Sequence, residues 1–132
     1  MLDTKQTLEQ LAVRVGTGDH GAFQHLYTAC APTALAAAQG HVPDPHQSMH
    51  VVRATFCEVW WMCAFDARCG AETPDIPTWI TAIAHRRGSE RHYALHLIGE
   101  LTVPGQAAFW TGLLEDHDEW ARFELAALLD AS

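Results

Sequence analysis

The residues best suited to bind a ligand in this sequence are three arginines close together near residue 90. Arg86, Arg87 and Arg91 are the one place in an acidic chain where cations gather, and His85 and His92 lie beside them. Guanidinium groups match the geometry of phosphate and keep their charge at any working pH, so the cluster could contact phosphates. Arginines also favour the C-terminal end of a helix through its dipole, and spacing alone favours this simpler interpretation.

The pattern before the cluster predicts a helix that presents it to solvent. Pro77 is suited to a first turn, and Asp75 or Thr78 could provide the cap. Four apolar residues then follow at helical spacing and would form the buried face: Trp79, Ile80, Ile83 and Ala84. Arg86 and Arg87 point away from that face, so the helix would carry a basic, solvent-facing tip.

Histidine pairs raise the question of a metal site. The chain has nine histidines, and the pairs His46/His50 and His92/His96 each place two imidazoles on one helical face, a geometry that can bind zinc. Both pairs lack a third ligand nearby in sequence. The spacing therefore favours scattered surface histidines, and we expect neither a metal nor another cofactor.

Catalytic constellations are weak. Ser89, Glu90 and His92 lie within a turn or two of one predicted helix, which is not the arrangement of a nucleophile, its base and the group that orients the base. The sequence contains no glycine-rich phosphate loop and no zinc-protease motif. We therefore expect a protein that is not an enzyme and has no catalytic residues.

Charge and composition limit the partners. The net charge is −8, and residues 100–132 contribute −6 of it, from seven acids and one base. An acidic surface disfavours non-specific DNA binding, because that affinity depends on lysines and arginines that neutralise phosphates. No apolar run is long enough to cross a bilayer and no signal peptide opens the chain. The four cysteines form no closely spaced pair, so we expect a cytoplasmic protein with reduced thiols and no membrane contact.

The hydrophobic pattern predicts an all-α fold. Residues 3–16 form an amphipathic helix that Gly16 and Gly18 end, and a second helix starts at Asp19 and is kinked or interrupted by Pro32. A long helix is predicted from residue 46 to about 64, followed by a loop over residues 65–77. No segment shows the alternation typical of a strand.

The last third of the sequence predicts two short helices joined by a tight acidic turn. The first covers about residues 105–115, and Asp118 would cap the second. Two such helices cannot bury much surface alone, so they must pack on the preceding part or begin an incomplete domain. The predicted organisation is a helical domain over residues 1–97, followed by a linker and short helices over residues 98–132.

Four motifs occur in order between residues 8 and 93. They are RVGTGDHGAF at 14–23, VVRATFCEVW at 51–60, FDARCG at 65–70 and WITAIAHRR at 79–87. This ordered set resembles the extracytoplasmic-function (ECF) sigma factors, which are transcription initiation factors of the sigma-70 family. A second similarity, over Leu101 to Gln106 and residues 124–132, resembles the start of the family's region 4 helix-turn-helix domain. The sequence stops before a recognition helix, so either the chain is a fragment or it lacks that reader.

The resemblance implies a sigma-70 region 2 bundle that directs RNA polymerase to promoters and captures the melted −10 element, with a flipped base under the 65–77 loop. Such a protein has core RNA polymerase and promoter DNA as partners. The residues that would contact DNA are Arg68, Trp79, His85, Arg86, Arg87 and Arg91. The residues that would contact polymerase are His50, Arg53, Phe56 and Glu58.

Two departures from the family pattern suggest an alternative. Residues 48–54 read SMHVVRA where the family has acids and a glutamine, and Arg53 reverses the charge at that position. Gly88, Glu90 and His92 also interrupt the expected run of arginines after Trp79, which would weaken the contact with promoter DNA. The alternative is a sigma-like interaction protein that binds an anti-sigma factor or another regulator and has no promoter activity.

Overall fold

The residues that the computed structural model describes form five helices. They are α1 (Thr4–Gly16), α2 (His20–Gln39), α3 (Pro45–Cys69), α4 (Ile76–Gly99) and α5 (Gln106–Leu129). The structure describes the backbone of residues 4–69 and 75–132 and the side chains of residues 8–65 and 75–132. These ranges contain no strand, which confirms the predicted all-α helical bundle. Nor does any helix in them combine the length and apolar character needed to cross a membrane.

The core lies where α2 and α3 cross. Phe23 and Phe56 have no exposed surface, and their rings meet edge to face with centroids 6.5 Å apart. Tyr27 packs against Phe56 at 4.8 Å and Trp60 against Phe23 at 5.3 Å. Edge-to-face pairs of this kind stabilise a core beyond the burial of their area. One side of α3 is therefore fixed in the core, and its other side is left for α4 and α5.

Pro32 does not interrupt α2, so of the two expected effects, a kink or an interruption, the interruption is wrong. The helix runs without a break from His20 to Gln39 with Pro32 inside it. A proline in a helix interior costs about 3 kcal/mol or more, because it removes a hydrogen bond and crowds the preceding turn. The cost is offset by packing, since Ala34 and Ala38 beyond it are fully buried and α2 packs on α4.

Gly88 marks the closest approach of α4 to the connection between α2 and α3. A Cβ atom added at Gly88 would lie 3.0 Å from the His41 ring, closer than nearly all real contacts. Gly88 is buried within α4. Gly88, which interrupts the run of arginines in the sequence, therefore allows α4 to pack against His41.

The connection between α3 and α4 is shorter than predicted. α3 continues to Cys69 rather than ending near residue 64, and α4 begins at Ile76. The predicted start of α4 is confirmed in its cap, since the Asp75 carboxylate accepts a hydrogen bond from the Thr78 backbone at 3.5 Å. The remaining part of the predicted loop, residues 70–74, lies outside the described residues, as does the base pocket expected there.

The last third forms one helix rather than two. α5 runs from Gln106 to Leu129, and Asp118 lies in its middle instead of capping a second helix. Residues 115–119 contain neither glycine nor proline, so nothing in the acidic stretch breaks the helix. α5 packs mainly on α3 and also contacts α2 and α4. The one buried side chain on α5 is Leu125, so the helix covers the outer side of α3.

Candidate functional site

A groove of about 800 Å³ lies between α4 and α5, with α3 behind it. Its apolar lining includes the two tryptophans Trp61 and Trp120. Its charged lining consists of Arg87, Arg91, Glu58, Glu90, Asp118 and Glu124. The groove brings together residues from both predicted sets, since His50 and Glu58 were expected to face polymerase and Arg87 and Arg91 to face DNA.

Glu58 on α3 binds two arginines of α4. Arg86 Nη2 lies 2.6 and 2.5 Å from the two carboxylate oxygens, and Arg87 Nε donates to Glu58 Oε1 at 2.8 Å. Arg86 also reaches Glu90 Oε1 at 3.3 Å, one helical turn further on. A charged group fixed in this way is held by strong, directional hydrogen bonds. The predicted polymerase contact and two predicted DNA contacts therefore pair with each other in this structure.

These contacts change the acidity of Glu58. Burial alone would raise the pKa of the carboxyl, but the hydrogen bonds and charges of Arg86 and Arg87 outweigh it, so the pKa is lowered from 4.5. A carboxylate whose pKa is lower in the folded state stabilises the fold above its unfolded-state pKa. That contribution is lost as the pH falls through the folded-state value.

We expect Glu58→Gln to lower the free energy of unfolding by about 1–3 kcal/mol at neutral pH, because it removes charge-assisted hydrogen bonds. The difference between the wild type and the variant should shrink as the pH falls below 4.5, the ordinary value for this group. Urea unfolding of both proteins at a series of pH values measures it. Glu90→Gln is the matched control, since Glu90 also pairs with Arg86 but its side chain is 61% exposed. A stability difference for Glu58→Gln that does not depend on pH would contradict the prediction.

Arg91 joins α4 to α5 by a nearly buried ion pair. Its Nη1 and Nη2 atoms lie 2.5 and 2.8 Å from the two carboxylate oxygens of Asp118. The side chains are only 10% and 12% exposed. Arg91 Nε donates to Gln47 Oε1 at 2.8 Å, which fixes the guanidinium against α3 as well. Because water is largely excluded, this ion pair links α4 and α5 specifically. We call the Arg91–Asp118 pair the latch.

His50 completes this polar cluster. Its Nε2 atom lies 3.6 Å from Asp118 Oδ2. Burial lowers the pKa of His50, the charge of Asp118 opposes that effect, and Arg91 and Arg53 add to the lowering. The neutral imidazole is therefore favoured at physiological pH. Arg53, on the next turn of α3, lies 3.4 Å from His50 Nδ1.

α5 is held to the bundle largely by polar links. Besides the Arg91 pair, four hydrogen bonds join it to α2 and α3. Two come from α3: Trp61 Nε1 to Glu124 Oε1 at 2.7 Å and Cys57 Sγ to the Ala121 carbonyl at 3.7 Å. Two involve α2: His20 Nδ1 with the Leu128 carbonyl at 2.8 Å and Gln24 Nε2 with the Leu129 carbonyl at 3.4 Å. A helix with one buried side chain has fewer apolar contacts than α2 or α3. Local opening is therefore easier for α5 than for the core helices.

Several predicted site residues lie away from the groove. Phe56 is fully buried, so it is a core residue and its side chain is not placed to contact polymerase. Trp79 is partly buried against the core near the start of α4. His85 faces the α2–α3 connection, where its Nδ1 lies 3.2 Å from His41 Nε2. The side chain of Arg68 lies outside the described residues.

Sequence reasoning missed the acids that meet the arginines. Asp118 and Glu124 lie more than two dozen residues beyond Arg91 along the chain, so no local pattern connects them. The one signal in the sequence for this pairing was the excess of acids in residues 100–132, which could have been matched to the single cluster of arginines. Within the described side chains, no three histidines, cysteines or acids come together as metal ligands.

Comparison of the chain with protein-family models, with curated proteins and with solved structures finds no match. The groove and the four ordered motifs are therefore the observations from which a function can be inferred.

Proposed function

We propose that this protein is a diverged sigma factor of the ECF type, which directs RNA polymerase to promoters and has no chemistry of its own. The observation that supports this most is the groove, where Arg87 and Arg91 of α4 and Trp61 of α3 line the same surface. Cationic side chains next to aromatic rings are how proteins hold unpaired DNA, because the bases stack on the rings while the cations follow the backbone. This is the role that the four-motif resemblance assigns to the arginines.

In the proposed role, α5 acts as an acidic cover over this surface. The groove as folded sets two arginines against four carboxylates. Asp118 and Glu124 of α5 supply two of those carboxylates. Without them the α3–α4 surface has three arginines, with Arg86 included, against Glu58 and Glu90. Phosphates would then take the place of the α5 acids, so α5 must move before DNA can bind.

The proposed partners are core RNA polymerase and promoter DNA in the cytoplasm. On α3, His50, Arg53 and Glu58 would face polymerase, whereas Phe56 is excluded by its position in the core. Because α5 lies over this side of α3, polymerase binding and DNA binding would both require the same movement.

The test compares the wild type with Asp118→Asn, which weakens the latch to Arg91. Co-purification with core RNA polymerase and run-off transcription are measured for both proteins. Asp118→Asn should increase association with polymerase, and adding Arg87→Gln to it should reduce transcription. Glu119→Gln is the matched control, since Glu119 is an α5 acid whose side chain is 52% exposed and binds Arg122. The absence of a polymerase complex and of any transcript for every variant would refute the proposal.

Cys57 provides an independent measure of the position of α5. Burial raises the pKa of its thiol to about 11, the charge of Glu124 adds to this, and Arg87 opposes it. If α5 opens and the pKa returns toward 9.0, the thiolate fraction at neutral pH rises roughly a hundredfold. A thiolate with a lower pKa is a weaker nucleophile, so the net gain in the alkylation rate is about tenfold.

We therefore expect iodoacetamide to alkylate Cys57 about tenfold faster in Asp118→Asn than in the wild type at neutral pH. Peptide mapping by mass spectrometry separates Cys57 from the other cysteines, and Glu119→Gln should behave like the wild type. Equal rates in all three proteins would mean that α5 stays in place without the latch.

A second candidate function is a sigma-like interaction protein that binds an anti-sigma factor or another regulator and has no promoter activity. The observation that favours it is that Arg86, Arg87 and Arg91 are all engaged by carboxylates. Contact with phosphate would then first require several ion pairs to break. Recovery of a regulatory protein without polymerase, from cells that express the tagged chain, would favour this candidate.

A further inference from the structure

The side of α5 opposite the buried Leu125 carries an apolar stripe that one acid, Asp116, interrupts. Phe109, Leu113, Trp120 and Phe123 are 60%, 38%, 72% and 61% exposed. We call this stripe, together with the residues that lie between its members on the same face, the outward seam: Phe109, Leu113, Asp116, Trp120, Phe123 and Ala127. These positions alternate at spacings of four and three, which is the spacing of the contact seam in a two-stranded coiled coil.

The bundle uses the outward seam only at Trp120, which also lines the groove and is 72% exposed. α5 rests on α2 and α3 through its opposite side, where Leu125 is buried and Leu128 and Leu129 are partly buried. α5 therefore has two apolar sides, and a helix that is apolar on both sides is normally covered on both. Large exposed aromatic residues that lie contiguously mark an interaction site, unlike single exposed residues.

The charges of the seam identify the chemistry of its occupant. Asp116 lies in the middle of the seam. Within the part of the chain that the structure describes, its carboxylate makes no hydrogen bond or ion pair. Glu119 flanks it, and the arginine of α5, Arg122, is occupied by Glu119 and lies over the Phe123 ring. A partner helix with a lysine or arginine opposite Asp116 would pair this carboxylate.

A second copy of the chain fits the seam poorly. A parallel pairing of two α5 helices would bring the two Asp116 carboxylates together, and an antiparallel pairing would place each of them against apolar seam residues with no cation to pair with. Like charges at a contact position disfavour a pairing, and one polar seam position is known to select the partner of a coiled coil.

We propose that the outward seam of α5 binds a basic amphipathic helix of a partner protein. The apolar residues of that helix would pack on Phe109, Leu113, Trp120 and Phe123, and one of its cations would pair with Asp116. This inference does not depend on the proposed role in transcription, because Trp120 is the one seam residue that also lines the groove and the test measures peptide binding rather than binding of polymerase or DNA.

The probe is a synthetic peptide of about three heptads, with leucine at the seam positions, lysine opposite Asp116 and lysine or arginine at the flanking positions. One control peptide carries glutamate in place of the lysine opposite Asp116. Another has the composition of the first peptide in scrambled order, which accounts for general attraction to an acidic protein. Binding to the full chain is measured by fluorescence anisotropy of labelled peptides.

We expect the wild type to bind the lysine peptide at least about tenfold more tightly than either control peptide. Asp116→Lys should reverse the preference between the lysine and glutamate peptides. Trp120→Ser should reduce binding by about tenfold or more, as expected for an aromatic anchor of an interface. Both variants alter exposed residues, and circular dichroism will verify that they are folded.

Three results would overturn the inference. One is equal binding of the ordered and scrambled peptides. Another is a preference that Asp116→Lys leaves unchanged. The third is a concentration-dependent dimer, found by sedimentation, that Trp120→Ser abolishes, since it would assign the seam to a second copy of the chain.

Discussion

Replacing Phe56 with alanine is expected to lower the free energy of unfolding by about 3–5 kcal/mol. The side chain has no exposed surface, and its ring contacts Tyr27 and Phe23 at centroid distances of 4.8 and 6.5 Å. Alanine would leave a cavity between α2 and α3 that the surrounding helices cannot close, so packing as well as hydrophobic burial is lost. Chemical denaturation at a fixed temperature measures the change.

Phe109→Ala is the matched control, because it makes the same substitution at a side chain that is 60% exposed. It should change stability by no more than about 0.5 kcal/mol. If Phe56→Ala cost no more than this control, Phe56 would not be a core residue. The two variants also serve as a control for the polymerase experiment, since a loss of polymerase binding in Phe56→Ala would reflect a damaged core rather than a missing contact.

Replacing Asp118 with asparagine is expected to lower stability by about 2–4 kcal/mol, because it leaves the Arg91 guanidinium nearly buried without a counter-charge. Both side chains are about one-tenth exposed, at 10% and 12%, so water screens the remaining charge only weakly. The three hydrogen bonds of Arg91 run to Asp118 and Gln47, and the substitution affects the two to Asp118.

Glu119→Gln provides the comparison for Asp118→Asn, since its ion pair with Arg122 is more than half exposed on both sides, at 52% and 55%. A surface pair of this kind contributes about 0–1 kcal/mol. The double substitution Arg91→Met with Asp118→Leu removes both charges and should recover most of the lost stability. Should Asp118→Asn cost no more than Glu119→Gln, the latch would not hold α5, and opening of the groove would need another cause.

Hydrogen exchange separates two ways in which Asp118→Asn could act. If α5 alone opens, amides of residues 106–129 lose protection while those of α2 and α3 keep theirs. If the whole bundle is destabilised, protection falls throughout the described helices. The proposed function requires the first pattern, because the α3–α4 surface must remain folded when the cover moves.

Most of the secondary structure could be predicted from the sequence, because its signals are local. The apolar spacing from Trp79 to Ala84 and the cap at Asp75 placed α4 within about a residue of its observed start. Where the prediction failed, packing between helices outweighed the local sequence signal. The burial of Ala34 and Ala38 and the packing of α2 on α4 carry α2 through Pro32, although the local rule for proline predicts a break.

The candidate site could be predicted only in part. The sequence identifies the cation cluster and the acidic character of the last third, and both are properties of composition along the chain. It does not identify which acid meets which arginine, because Asp118 reaches Arg91 only once α5 has folded as one helix and packed on α3. It also misassigned Phe56, since a motif position does not reveal which side of a helix the core will cover.

The sequence by itself therefore determined the all-α class, most of the helix positions and the place where positive charge gathers, since each follows from spacing and residue type over a few turns. Only the tertiary structure decided that the arginines are paired with carboxylates, that α5 covers α3 and that an aromatic seam stays outside. These three features depend on contacts between residues distant in sequence, and their geometry is set by the packing of the whole bundle.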